Sequence, residues 1–184
     1  GPRIALRFFG GFGLSTDLCS DSDMIAQAYK EGVPMGSDLN PPGLFSSQPT
    51  FFVQALQDPG SADEPGAPLA RIQIIKGWVN EQGEAQRAVH TLARGDGNFE
   101  TNPATCASSG SGSSSLCATW TDESFNASDH AFYYARVLAE PTCRWNAYLC
   151  GQLSGEARPS VCDQADIPKV IRERAWSSPI WFTP

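Results

Sequence analysis

The sequence predicts an all-β protein: an antiparallel β-sandwich, immunoglobulin-like or related, with long loops and one or two short helices. Three observations carry this expectation. Several short runs alternate apolar and polar residues with a period of two, as half-buried strands do. Clusters of Gly, Pro, Asn and Asp separate these runs. Strands do not alternate with helical patterns, so a parallel sheet with crossover helices is not expected.

The first run spans residues 3–9. Ile4, Leu6 and Phe8 fall on one face, Arg3, Ala5 and Arg7 on the other, and Gly10-Gly11 ends the strand. Residues 22–30 read as a short helix. Asp21 or Ser22 can accept hydrogen bonds from its first amides, and Ile25, Ala28 and Tyr29 form a stripe. Gly32 stands where a left-handed C-terminal cap would go. Pro34, Pro41, Pro42 and several glycines make 33–48 a loop. Residues 51–56 form the second strand, with Phe51, Val53 and Ala55 on one face, and 58–68 is a loop rich in Pro, Gly and acids.

The clearest strand is 71–79, where Ile72 and Ile74 alternate with Arg71 and Gln73; Gly77 inside it suggests a bulge. Asn80-Glu81-Gln82-Gly83 is a hairpin turn, and 84–92 returns antiparallel. Residues 94–115 are polar and rich in Gly and Ser. Strands follow at 116–120 and 131–138, then a helical turn at 144–150. Residues 167–174 fit either a strand or a short helix. Ser177-Ser178-Pro179 makes a turn before a last strand at 180–182. The loops at 33–48, 94–115 and 150–166 are longer than a compact sandwich needs.

With 184 residues, 41% of them hydrophobic, the chain can bury one sizeable core. Its net charge of -7 repels phosphate backbones and anionic lipid, so neither nucleic acid nor a membrane surface is an expected partner. No apolar run approaches the roughly 20 residues of a spanning helix. Residue 1 is Gly and a strand begins almost at once, which points to a processed or trimmed start; a tag remnant would explain Gly1-Pro2 as well.

The six cysteines lack any C-x-x-C spacing, so disulfides in an oxidising compartment, periplasmic or extracellular, are expected rather than a zinc site. Cys106 and Cys117 bracket a Ser/Gly-rich loop, and a bridge at its neck would remove on the order of 3 kcal/mol of unfolded-state entropy. Cys150 and Cys162 bracket another loop. Cys19 and Cys143 are then paired by elimination, although six cysteines allow 15 connectivities.

Candidate chemistry is sparse. Asp17, Asp21 and Asp23 place carboxylates two to four residues apart, as a calcium loop does, but without the EF-hand's central Gly and terminal Glu; helix capping explains them equally. His90 and His130 are far apart, with no H-x-H, and a core or surface role is the plainer reading of each. No Ser lies in a G-x-S-x-G elbow. Arg3 and Arg7 share a strand face and could hold an anion, or pair with acids such as Asp38 or Glu173. Trp78, Trp120 and Trp145 could line a sugar-binding face, with core packing or a domain contact as the simpler alternative. Gly110-Ser111-Gly112 is not a phosphate cradle, because no helix start follows it. Asn126-Ala127-Ser128 is a glycosylation sequon, a triplet that also arises by chance.

Several segments, in order, carry a resemblance. They are 1–11, Gly32-Val33-Pro34-Met35-Gly36-Ser37-Asp38-Leu39, Ala70-Arg71-Ile72-Gln73-Ile74-Ile75-Lys76-Gly77-Trp78, residues 131–138, Pro141-Thr142-Cys143-Arg144-Trp145, and the ending Glu173-Arg174-Ala175-Trp176-Ser177-Ser178-Pro179-Ile180-Trp181. Together they resemble the bacterial "domain of unknown function 3604" family, related to the PHP (polymerase and histidinol phosphatase) metallohydrolases. The resemblance implies a single sandwich domain over 1–184 that forms the C-terminal part of a longer, secreted or periplasmic protein. It implies an upstream metallohydrolase-like domain as partner, with divalent metals and their His and Asp ligands there. No catalytic residue and no cofactor are expected in this chain. The alternative expectation is a stand-alone extracellular module binding carbohydrate or calcium.

Overall fold

The computed structural model describes residues 2–40, 48–62 and 64–184. It is mostly β, with 41% strand and 15% helix, in a sandwich-like arrangement. The first sheet has the order β2-β1-β4-β9, where β1 is Ala5–Gly11, β2 Val33–Pro34, β4 Thr50–Leu56 and β9 Ser115–Thr121. The second has the order β3-β14-β10-β5-β6, where β3 is Asp38–Leu39, β5 Leu69–Val79, β6 Ala85–Arg94, β10 Ala131–Ala139 and β14 Ile180–Phe182. A further strand, β13 (Arg174–Trp176), shares the β10 edge with β14. All pairings are antiparallel except that of β14 with β3. Two small ribbons complete the set: β7 (Glu100–Thr101) with β8 (Ser108–Ser109), and β11 (Thr142–Cys143) with β12 (Val170–Ile171).

Alternation decides which side chains meet between the sheets. Phe8, Phe51, Val53, Ala55 and Leu116 come from the first sheet; Ile72, Ile74, Tyr133, Val137 and Phe182 are among those facing them from the second. These are the faces the sequence predicts for β1, β4 and β5. The other face of the first sheet is covered too. Helix α1 (Met24–Glu31) and the 3-10 turn Leu18–Ser20 lay Ala28 and Leu18 on Phe9 and Phe52, joined by Leu14 from the segment after β1.

Several local expectations are corrected. Gly32 does not take a left-handed conformation but is extended (φ -141). A Cβ there would stand 2.8 Å from the Gly10 carbonyl oxygen, so glycine permits the close approach of α1's end to β1. Gly77 marks no bulge; the β5–β6 register shifts between Ile72 and Gln73, where Leu92 and Ala93 both turn toward the core. The expected loop at 33–48 contributes β2 and β3, and its residues 41–47 lie outside the described ones. The polar stretch 94–115 folds back as β7–β8, with the Leu69 amide donating to the Ser113 carbonyl. The ambiguous 167–174 segment contributes β12 and the start of β13, and 144–150 lies largely in helix α2 (Trp145–Gln152).

The cysteines also differ from expectation. Cys19 bonds Cys117, Cys106 bonds Cys143 and Cys150 bonds Cys162. Only the last pair follows the loop-neck reasoning. Cys117 lies on β9 between inward Leu116 and Ala118, so its side chain projects to the outer face, where Cys19 waits in the 3-10 turn. Cys106 sits in a left-handed turn (φ 59) after Asn102 and meets Cys143 on β11.

Candidate functional site

Three features of the fold concentrate unusual chemistry. The first is a charged cluster between the sheets. Lys76 occupies an inward position of β5, after Ile72 and Ile74, and is 3% exposed. Its Nζ lies 2.6 Å from Oδ2 of Asp122, a fully buried residue just past β9. The Tyr133 hydroxyl donates to the same oxygen at 2.7 Å, while the Ser124 amide and hydroxyl donate to Oδ1 at 3.1 and 2.8 Å. Lys76 also donates to Ser124 and lies 5.0 Å over the Trp78 ring.

Burial alone would raise the Asp122 pKa, but hydrogen bonds from Lys76, Tyr133 and Ser124 outweigh it and hold the carboxyl below its usual range. Burial, reinforced by the Asp122 charge, pushes the Tyr133 phenol well above its usual range, so it stays a donor. Both carboxylate oxygens are therefore occupied by the protein's own donors. The cluster ties β9 of one sheet to β5 and β10 of the other. Next to it, His90 stacks on Trp120 at 4.4 Å.

The second feature is the outward face of the second sheet. Outward positions carry Phe132 and Tyr134 on β10, Trp176 on β13 and Trp181 on β14, interleaved with arginines. Phe132 packs 5.4 Å from Trp181. A cavity of about 500 Å³ opens there, lined by Gly77, Arg87, His130, Phe132, Tyr134 and Trp181 among others.

The third is the clip around α2. This helix carries no charged residue. Ala147 and Cys150 face inward, whereas Trp145 (73% exposed), Tyr148 and Leu149 face out beside exposed Val161. Trp145, Leu149 and Val161 border a cavity of about 330 Å³ that is almost wholly apolar, with Leu153, Ile167 and Pro168 in its wall.

Of the residues singled out from sequence, Trp78 and His130 line the second-sheet cavity, His90 and Trp120 stack beside the charged cluster and Trp145 borders the α2 cavity, whereas Asp17, Asp21, Asp23, Arg3 and Arg7 lie elsewhere. Among the described residues, no three His, Cys, Asp or Glu side chains gather to hold a metal ion. Asp17, Asp21 and Asp23 do not converge: Asp21 Oδ1 accepts the Asp23 amide at 2.7 Å, and the Asp17 amide donates to Ser15. Trp78, Trp120 and Trp145 share no surface; the first two pack against the core and the third stands on α2. Arg7 donates to Gln54 rather than to Asp38 or Glu173, and the Arg3 amide donates to Asp58. The Lys76–Asp122 cluster was missed, although a lysine in an inward strand position signals a buried partner. The arginines of the outward face were legible one by one, but only strand order brings them together.

A sequence profile described as "Protein of unknown function (DUF3604)" matches residues 1–184. The chain belongs to the DUF3604 family. No curated protein and no solved structure matches it. Within this family assignment the three disulfides suit an oxidising, non-cytoplasmic environment. No helix of the described residues is long and apolar enough to cross a membrane.

Proposed function

We propose that this chain is the non-catalytic β-sandwich part of a secreted or periplasmic PHP-like metal-dependent hydrolase. It packs on and supports an upstream catalytic domain, and the divalent metals are held there. The observation that carries this reading is the α2 clip. A helix apolar on its outward side is one made to be covered. Here that side is also rigid, because the Cys106–Cys143 and Cys150–Cys162 bridges pin the segment from both ends. A preformed apolar surface loses little entropy on docking. An interdomain contact of roughly 600–1,500 Å² would cover it.

The test is to co-express this chain with the upstream part as separate polypeptides and follow them by size-exclusion chromatography. Co-elution is expected, lost in a Trp145→Glu/Leu149→Glu variant whose circular dichroism and Tm match the parent chain. Separate elution of the unmutated pieces at micromolar concentration, or co-elution that ignores the two substitutions, overturns the reading.

A second reading, an extracellular carbohydrate-binding role, is favoured by a different surface: the aromatic and arginine-bearing face of the second sheet. The two surfaces share no lining residue, so both roles fit one chain.

A further inference from the structure

We propose that the outward face of the second sheet binds a carboxylated polysaccharide, a polymer of uronic acids. This site is independent of the α2 clip and deepens the carbohydrate reading just given.

Charge carries the argument. The chain's net charge is -7, yet five of its 13 Lys and Arg residues occupy outward positions of this one sheet. They are Arg71, Arg87, Arg94, Arg136 and Arg174, placed by strand register. On the strands β5, β6, β10, β13 and β14 no outward position is acidic; among the described strand positions of this face, Asp38 on the far edge strand β3 is the one carboxylate. Among the described residues none of the five arginines pairs with a carboxylate. Two of them, Arg71 and Arg94, stand directly opposite each other across β5 and β6. Like charges so placed oppose pairing, and an anion between them reverses the sign. The Arg71 Nε is buried without a hydrogen-bond partner. Arg136 gives Nε and Nη2 to Gln73, which aims its guanidinium while leaving Nη1 free.

The aromatic residues decide what kind of anion fits. Phe132 and Trp181 form an apolar shelf beside Arg87, and Arg174 lies 5.7 Å over the Trp176 ring. An aromatic face carries partial negative charge and attracts the C–H-bearing face of a pyranose ring. Arginine's planar fork matches a carboxylate in two-point contact. From Arg71 to Gly77 the site runs about 20 Å along β5, room for several sugar units. Single-stranded nucleic acid offers rings and anions too, but its dense phosphate charge is repelled more strongly by the acidic remainder of the chain.

The test uses the oxidised chain, polygalacturonate as probe and isothermal titration calorimetry at low ionic strength, about 0.01 M, where exposed charges act over the longest range. Binding to polygalacturonate is expected, with none to neutral dextran, and it weakens as salt is added. Arg87→Ala/Arg94→Ala should weaken it by about tenfold or more, equivalent to about 1.4 kcal/mol, and Trp181→Ala should weaken it independently. Thermal melts of the variants show whether the fold is kept; a variant that does not fold is replaced by Arg174→Ala, whose side chain is exposed. No binding to polygalacturonate, equal binding to dextran, tighter binding to dextran sulfate or single-stranded DNA, or folded variants that bind like the parent each overturn the proposal.

Discussion

The Phe132 ring lies across the strand pairing onto Gly77, where its tip fills the space a β-carbon of residue 77 would need. The glycine is therefore not a bulge but a seat for the aromatic ring. Gly77→Ala is expected to displace that ring and lower stability by about 1–3 kcal/mol, the usual range for overpacking. A Tm compared with the parent chain checks this. A Tm equal to or above the parent's would mean that Phe132 swings away without loss.

Asp122→Asn should be more damaging. It keeps the shape but leaves Lys76 charged and buried without its counter-ion. Removing one partner of such a pair typically costs about 3–5 kcal/mol. Urea unfolding followed by tryptophan fluorescence measures it. A loss below about 1 kcal/mol, the scale of an exposed pair, would show that solvent reaches the cluster.

The same cluster sets a pH window. The Asp122 pKa is lowered in the fold, so its contribution is complete above the unfolded carboxyl value, about 3.9, and is lost as pH falls through the folded value. The Tyr133 pKa is raised, so the fold holds its phenol proton. That contribution is complete below the unfolded value, about 10, and is lost as pH rises beyond it. Stability measured from pH 2 to 12 should therefore drop at both ends, and Tyr133→Phe should remove part of the alkaline drop.

The three bridges should not be equal. Cys19–Cys117 closes a separation of 98 residues and Cys150–Cys162 one of 12. In the chain-entropy model these contribute about 4.7 and about 3 kcal/mol respectively. Double serine variants of each pair, compared by Tm, should fall in that order. Thiol titration of the denatured parent chain should find no reactive cysteine.

Strand positions were legible where alternation is strict. Ile4-Leu6-Phe8, Phe51-Val53-Ala55 and Ile72-Ile74 all face the core that their pattern announces. The disulfide partners were not, because they depend on how loops fold back. The outward direction of Cys117 was nevertheless implied by Leu116 and Ala118 on either side of it. The candidate sites were less readable than the fold. Arg71 and Arg94 lie 23 positions apart in sequence yet face each other across β5 and β6, and the facing depends on a hairpin register shifted by an extra residue. Trp145 could not be separated from Trp78 and Trp120 on composition alone; only its place on an exposed helix does so.

The first two bridges overlap along the chain, because Cys106 lies within the ring closed by Cys19 and Cys117 while its partner Cys143 lies beyond it. A single peptide-bond cleavage anywhere from Cys19 to Cys143 therefore releases nothing: both new ends stay covalently tied to the rest. The connection from β4 to β5, exposed at 59–62, and that from β6 to β7, exposed at 96–98, fall inside this span. A protease that nicked either one would leave a chain that runs as one species on a gel until a reductant is added.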